Sequence, residues 1–342
     1  MRLVTIDDEY MKVRNGYHTQ MKNVVSVILC THNPRTDYLR RTLEALRKQT
    51  LPAEKWEFLL IDNASQDRLA NTWDISWHPK GRHVLEEKLG LTFARLRGIE
   101  ESQASLLVFV DDDNVLAPDF LERAAALPTR YSFLGAFGAG RLEPEFEVHP
   151  PLQVTSRLEL LALRTVPSAL WTNNVEDYYC IPHGAGLCVT RQVAKAYPQV
   201  IERFNATSVI DRRGKSLFSG GDDVFSWVAV MAGLGFGIFP ELQITHLISA
   251  GRLTESYFVR LTRHQSLSHG VLKYLRSGSL PKRIDLPGYI RMPLHGLRNG
   301  YFSMRCHWAE ARGQAGAARF IRENALRPVH FESFSRRAVG ET

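Results

Sequence analysis

Three apolar runs of strand length lie in the first third of the chain, and each one stops on polar residues. They are "NVVSVILCTHN" (23–33), "WEFLLIDNAS" (56–65) and "SLLVFVDDD" (105–113). Runs that are apolar at every position, rather than at alternate ones, predict strands buried on both faces, as in a parallel sheet. The stretches between them have helical character. Leu39, Leu43 and Leu46 fall at helical spacing in "PRTDYLRRTLEALRKQT", "GLTFARLRGIEES" is a short helix with Gly90 near its start, and "APDFLERAAAL" is a helix with Pro118 in its first turn. Strand–helix alternation predicts an open, mostly parallel α/β sheet flanked by helices.

The second half is less regular. "RLELLALRTVPSALWTNNVEDYY" begins as a helix and ends polar, and "HGAGLCVTRQVAKAY" reads as a loop, a short strand and a helix. "SGGDDVFSWVAVMAGLGFGIFPELQITHL" reads as a helix, a glycine-rich turn and an apolar strand with His246 near its end. Beyond Gly251 the pattern is helical, interrupted at Pro281, Pro287, Pro293 and Pro328.

The chemistry gathers at the strand ends, because ligands of such sheets bind at the carboxyl ends of the strands. Those ends read "CTHN", "IDNAS" and "VDDD". Asp111 and Asp113 are two apart, which at a strand end puts both side chains on one face. Two carboxylates on one face suit a hard divalent cation such as Mg²⁺ or Mn²⁺; the alternative is a solvated turn that caps the following helix. Asp62 can accept from a base N–H or a ribose hydroxyl, or can cap a turn. Thr31 and Asn33 are placed to reach the same ligand, and Arg95 can pair with a phosphate or with one of the aspartates. Asp222 and Asp223 open a helix, where they serve either as caps or as a general base. His246 is either a further metal ligand or a structural imidazole.

Charge adds a second feature. The net charge is +7, but residues 251–342 hold 16 Lys/Arg against 6 Asp/Glu, a local net of +10. Such a surface faces anionic lipid, nucleic acid, a phosphorylated substrate or only water. No nucleic-acid motif accompanies it. Cys30, Cys180, Cys188 and Cys306 are scattered without a CxxC pair, which predicts reduced thiols in a cytoplasmic protein. No run reaches the roughly 20 apolar residues of a spanning helix.

The order "VSVILCTHNP … LLIDNASQD … GLTFARLRGIEES … LLVFVDDDNVLAPDFL … HGAGLCVTR … GGDDVFSWVAVMAGLGF … THL" resembles the family 2 glycosyltransferases of GT-A fold, over residues 23–248. The resemblance implies a GT-A domain at 23–250, divided into a nucleotide-sugar half (23–120) and an acceptor half (121–250). An N-terminal extension (1–22) would precede it and a basic helical region (251–342) follow it. Thr31, Asn33 and Asp62 would hold base and ribose, and Gly90, Ala94, Arg95 and Gly98 would close over the nucleotide. Asp111 and Asp113 would grip the diphosphate through Mn²⁺ or Mg²⁺, with His246 as a further ligand and Asp112 near ribose and sugar. Gly184, Ala185 and Gly186 would line the acceptor side, and Asp223 would be the base.

Two departures stand out: Asp222 occupies a position that is usually Glu, and Leu96 one that is commonly Asn. The implied reaction is inverting transfer from a UDP-, GDP- or dTDP-type sugar to a glycan or lipid-linked acceptor, in glycan or surface-polysaccharide synthesis. The basic region would provide peripheral contact with the inner membrane face, and no nucleic acid would be bound. A sugar-phosphate nucleotidyltransferase and an inactive GT-A-like binding module are the alternatives. The first normally carries a glycine-rich phosphate loop after its first strand, where this chain has "CTHNP".

Overall fold

A computed structural model describes residues 24–281 and 300–328; the expected N-terminal extension lies outside the described residues. The three apolar runs are strands β1 (Val25–Thr31), β2 (Trp56–Asn63) and β4 (Leu106–Asp111). With β3 (Gly81–Glu86) they form the parallel half of one sheet, in the order β3-β2-β1-β4. All seven residues of β1 are buried, which the continuous apolar pattern requires. Ile28 and Cys30 face one core layer, while Val25, Val27 and Leu29 face the other. Helix α1 (Thr36–Arg47) buries Leu39, Leu43 and Leu46 against the second layer, as their spacing predicts.

The sheet continues through β9 (Cys188–Thr190), β6 (Leu134–Phe146), β10 (Gly235–Ile248) and β5 (Asn114–Leu116). β9 runs antiparallel to both β4 and β6, and β10 runs parallel to β6. The six strands β3, β2, β1, β4, β6 and β10 therefore point the same way and deliver their carboxyl ends to one edge. Short strands β7 (Arg164–Thr165) and β8 (Leu170–Thr172) pair with β6 and β10. The mostly parallel sheet expected from the sequence is thus present, with antiparallel insertions.

Helices cover both faces. They include the short α2 (Leu69–Thr72), α3 (Leu91–Glu101), α4 (Phe120–Arg130), α5 (Arg191–Arg203) and α6 (Gly221–Met231). Two details differ from the sequence expectation. Pro118 lies just before the N-cap of α4 rather than in its first turn. The segment expected to begin as a helix is a 3-10 helix, Leu152–Leu161, which buries only Val154 and Leu161. So little burial cannot tie down a full α-helical face.

Beyond the sheet, α7 (Glu255–Ser277) and α8 (Tyr301–Glu323) pack as a pair. Small residues let them approach: a Cβ on Gly270 would lie 2.8 Å from that of Ala317. Ala317, Ile321 and Leu326 join the core beside α5 and α6. Part of the basic surplus is engaged within the chain, through Arg276–Glu176 (2.6 Å), Arg305–Glu255 (3.2 Å) and Arg319–Glu323 (2.6 Å). No helix among the described residues is long and apolar enough to cross a membrane.

Candidate active site

The carboxyl edge of the sheet opens onto a cavity of about 380 Å³. Its wall includes Thr31, Arg95, Asp111, Asp112, Asp113, Gly184, Ala185, Asp222 and His246 from the sequence expectation. Asn33, Asp62, Gly186 and Asp223 are not among the lining residues.

The three aspartates sit on the reversal between β4 and β5. Asn114 fixes this turn: its side chain accepts from the Asp111 N–H (3.2 Å) and donates to Asp113 Oδ1 (2.9 Å). β5 pairs antiparallel with β10, which sets His246 opposite Asn114. This pairing brings His246 Nε2 to 3.3 Å from Asp113 Oδ2. Arg252, from the 3-10 turn Ala250–Leu253, completes the group: its Nη1 lies 2.9 Å from Asp113 Oδ2 and 3.1 Å from His246 Nε2.

Three neighbouring carboxylates coexist here because their surroundings differ. Burial alone would raise the Asp113 carboxyl, but the contact with His246 and the charges of Arg252 and Arg212 pull it down to about 2. Burial and the Asp113 charge push Asp112 up to about 7, although the Thr31 hydroxyl donates to its carboxylate. Asp111 is also raised, by burial and then by Asp113.

A second network holds the other wall. Arg95 is buried and pairs with Asp211 at 3.2 Å, not with a residue of the Asp111–Asp113 turn. Burial would favour loss of its proton, but Asp211, Asp222 and Asp111 outweigh it, so the guanidinium stays charged. Asp211 also accepts from the Gly221 N–H (3.1 Å) and the Thr92 hydroxyl (3.3 Å). It thereby pins the start of α6, whose next residue is Asp222. Asp222 Oδ2 accepts from the Gly184 N–H at 3.0 Å, which fastens the "HGAG" loop to the helix. A Cβ at 184 would lie 2.5 Å from Arg95 Nη2, so a larger residue there would displace the end of that guanidinium. His183, on the same wall, is pushed down to about 3 by burial and by Arg164, so it is neutral.

Asp223 takes a different position. Its carboxyl is raised well above the usual range by burial and by Asp222. Asp62 accepts from the backbone N–H groups of Ser65 and Leu69, each at 3.0 Å, which is the capping alternative open at the sequence level. Asn33, at φ 48°, accepts from the Gln66 N–H through Oδ1 (2.8 Å). Gly186, at φ +68°, packs against Phe120 and Ile244. Asn63 replaces Asp62 on the cavity wall, clipping the Gly90 turn by accepting from Gly90 N–H at 2.8 Å.

Cys30 also lines the cavity, and burial pushes its thiol up to about 12. We expect iodoacetamide at pH 8 to modify Cys30 in the native protein on the order of a thousandfold more slowly than a free thiol, because only thiolate reacts. Peptide mapping after timed alkylation checks this; rapid labelling at Cys30 contradicts it.

Asp211, Arg212, Arg252 and Glu159 are wall residues that sequence reasoning missed. Asp211 and Arg212 sit in "VIDRRG" and Arg252 in "SAGRL", loops with no periodic pattern. Only their juxtaposition with the aspartates marks them.

Whether a divalent ion suits this edge is a matter of donor chemistry. Oδ2 of Asp113 and Nε2 of His246 are 3.3 Å apart, close to the roughly 3 Å between adjacent ligands of an octahedral ion held at about 2.1 Å. A carboxylate with an imidazole suits Mn²⁺. Among the described residues no group of three or more His, Cys, Asp or Glu converges as a metal site. The expected trio of Asp111, Asp113 and His246 is therefore present here as the pair Asp113–His246, bridged by Arg252.

Comparison with known proteins agrees with this architecture. Residues 26–154 match Glycosyl transferase family 2. Glycosyltransferase AglE of Haloferax volcanii is 32% identical over 105 residues, covering 30% of this chain and 34% of that protein. Validoxylamine A glucosyltransferase of Streptomyces hygroscopicus is 29% identical over 159 residues, covering 43% of this chain and 36% of its own. The matched stretches thus span about a third of the length of these relatives. The mannosyltransferase PcManGT of Pyrobaculum calidifontis, solved with GDP-Man and Mn²⁺, shares the fold with TM-score 0.51 and 18% identity, covering 93% of this chain and 80% of its own. The segment that carries the strand-end aspartates, residues 26–154, thus matches glycosyl transferase family 2, and the chain shares the GT-A architecture.

Proposed function

We propose that the protein is an inverting glycosyltransferase that moves a sugar from a nucleotide-diphosphate donor to an acceptor hydroxyl, in glycan or surface-polysaccharide synthesis. The observation that carries the proposal is that one cavity holds both the Asp111–Asp113 turn and Asp222. The first is suited to a diphosphate with its cation, the second to a proton. Asp113 and His246 would hold the divalent ion, Mn²⁺ or Mg²⁺. Bound there, the ion supplies positive charge to the leaving diphosphate.

The chain's own groups do the rest. Asp222 takes the proton from the acceptor hydroxyl as that oxygen attacks the anomeric carbon, and the bond to the diphosphate breaks on the opposite side. One in-line displacement inverts configuration. Asp222 is assigned as the base because it lines the cavity wall, whereas Asp223 is not among the lining residues. This differs from the family-based expectation for Asp223. Asp112, shared between protonated and ionised forms near neutrality, is placed to donate to or accept from a donor hydroxyl. Arg95 acts by holding Asp211, and through it Gly221 and Asp222, in place.

A thermal-shift panel of UDP-, GDP-, dTDP- and CMP-sugars, with and without Mn²⁺, tests the proposal. A donor at 100 times its Kd stabilises the folded state by about 2.7 kcal/mol, so one donor class should raise the midpoint by several degrees, and more with Mn²⁺. The same donor should be hydrolysed slowly without acceptor. Binding without any turnover would favour the inactive binding module, and no shift with any donor would reject the reading.

A further inference from the structure

We propose that Arg252 is an exchangeable occupant of the cation position: its guanidinium fills the gap between Asp113 and His246 in the free protein and must leave when a divalent ion enters. The proposal rests on the glycosyltransferase reading only for the kind of ion involved.

The three contacts form a closed triangle. Nη1 of Arg252 is 2.9 Å from Asp113 Oδ2 and 3.1 Å from His246 Nε2, and those two atoms are 3.3 Å apart. A guanidinium can only donate, so in the 3.1 Å contact Nε2 is the acceptor and turns its lone pair on Nη1. The carboxylate oxygen and the imidazole nitrogen are then two lone-pair donors aimed at one positive group. That is the arrangement a metal ion requires, and it is satisfied here by an arginine.

The arginine is held in a way that permits exchange. Its contact to this pair runs through a single nitrogen, and its Nε is buried without a hydrogen-bond partner. It stands on the short 3-10 turn Ala250–Leu253 and is held outside the pair by a side-chain hydrogen bond with Tyr257. The turn is anchored by its backbone, with the Ala250 N–H donating to Glu147 at 2.8 Å, so the side chain can swing without the turn unfolding. Arg252 also lines the donor cavity. Displaced from Asp113, its fork is free to meet diphosphate oxygens, for which arginine geometry is suited. Ion entry and donor capture thus become one exchange.

The test uses Mn²⁺ alone, followed by loss of the free-ion electron paramagnetic resonance signal. Occupancy by Arg252 lowers the apparent affinity by the fraction of time that the site is open. Arg252→Ala and Arg252→Gln should therefore bind Mn²⁺ about tenfold or more tightly than the parent. Adding His246→Ala to either variant should abolish the gain. Arg212→Ala removes a nearby charge that acts on Asp113 without occupying the gap, and should gain at most about twofold. Unfolding curves confirm that each variant is folded; if Arg252→Ala is not, Arg252→Gln carries the comparison. Equal or weaker Mn²⁺ binding by the Arg252 variants, or an equal gain in Arg212→Ala, overturns the proposal. A parent and variants that all bind Mn²⁺ equally would overturn it while leaving the glycosyltransferase reading intact.

Discussion

Asp222→Asn should lower turnover about 100- to 10,000-fold, the usual range for a lost general base, while changing donor affinity only a few-fold. Asparagine keeps the shape of the side chain, and its Oδ1 can still accept from the Gly184 N–H, the 3.0 Å contact that fastens the loop. What disappears is the ability to take a proton. Asp223→Asn should have the smaller effect on turnover, because Asp223 is off the cavity wall, and burial with the Asp222 charge raises its carboxyl well above the usual range. Single-turnover rates with saturating donor, beside donor titrations, separate the two variants. A large loss in Asp223→Asn with a mild effect in Asp222→Asn would return the base to Asp223.

Arg95→Ala should destabilise the fold by about 3–5 kcal/mol, because it leaves Asp211 buried without its partner cation. For a chain of this size that corresponds to a melting midpoint lowered by about 4–7 °C. The damage should extend to catalysis, since Asp211 holds the Gly221 N–H at the start of the helix that presents Asp222. The double variant Arg95→Met with Asp211→Asn should recover part of the stability, because no uncompensated charge then remains. Its turnover should not recover, because neutral Asn holds the helix start less firmly. A single Arg95→Ala variant that melts within about 1 °C of the parent would show that the pair contributes little.

How much of this was written in the sequence depends on locality. β1, β2 and β4 were readable because each is a continuous apolar run buried on both faces. The same runs located the strand ends, and with them the cavity. β6 was not readable, although it is among the longest strands. Its "LGAFGAGRLEPEF" is rich in glycine because neighbours approach closely: a Cβ at Gly135 would lie 2.7 Å from Ala229, and one at Gly140 would lie 2.6 Å from the Phe239 backbone. Small residues erase the apolar signature that strand reading relies on. β9, three residues long, carries too little pattern to show that it inserts antiparallel between β4 and β6.

At the site, Asp111–Asp113 and Asp222 were legible as charges placed at element ends. Arg252 and Asp211 were not, because their meaning comes from partners 139 and 116 residues away. Asp62 shows the converse. Its strand-end position suggested ligand contact, but its two carboxylate oxygens both serve backbone N–H groups nearby, and neighbouring Asn63 reaches the cavity instead.

The most direct measurement is a crystal structure grown with Mn²⁺ and the intact donor identified by the thermal-shift panel, read through the anomalous signal of manganese. The expected map shows a peak about 2.1 Å from Asp113 Oδ2 and His246 Nε2, the diphosphate beside it in the cavity, Arg252 turned away from Asp113, and Asp222 facing the sugar. A nucleotide bound elsewhere, or manganese absent while Arg252 still bridges Asp113 and His246, would contradict it.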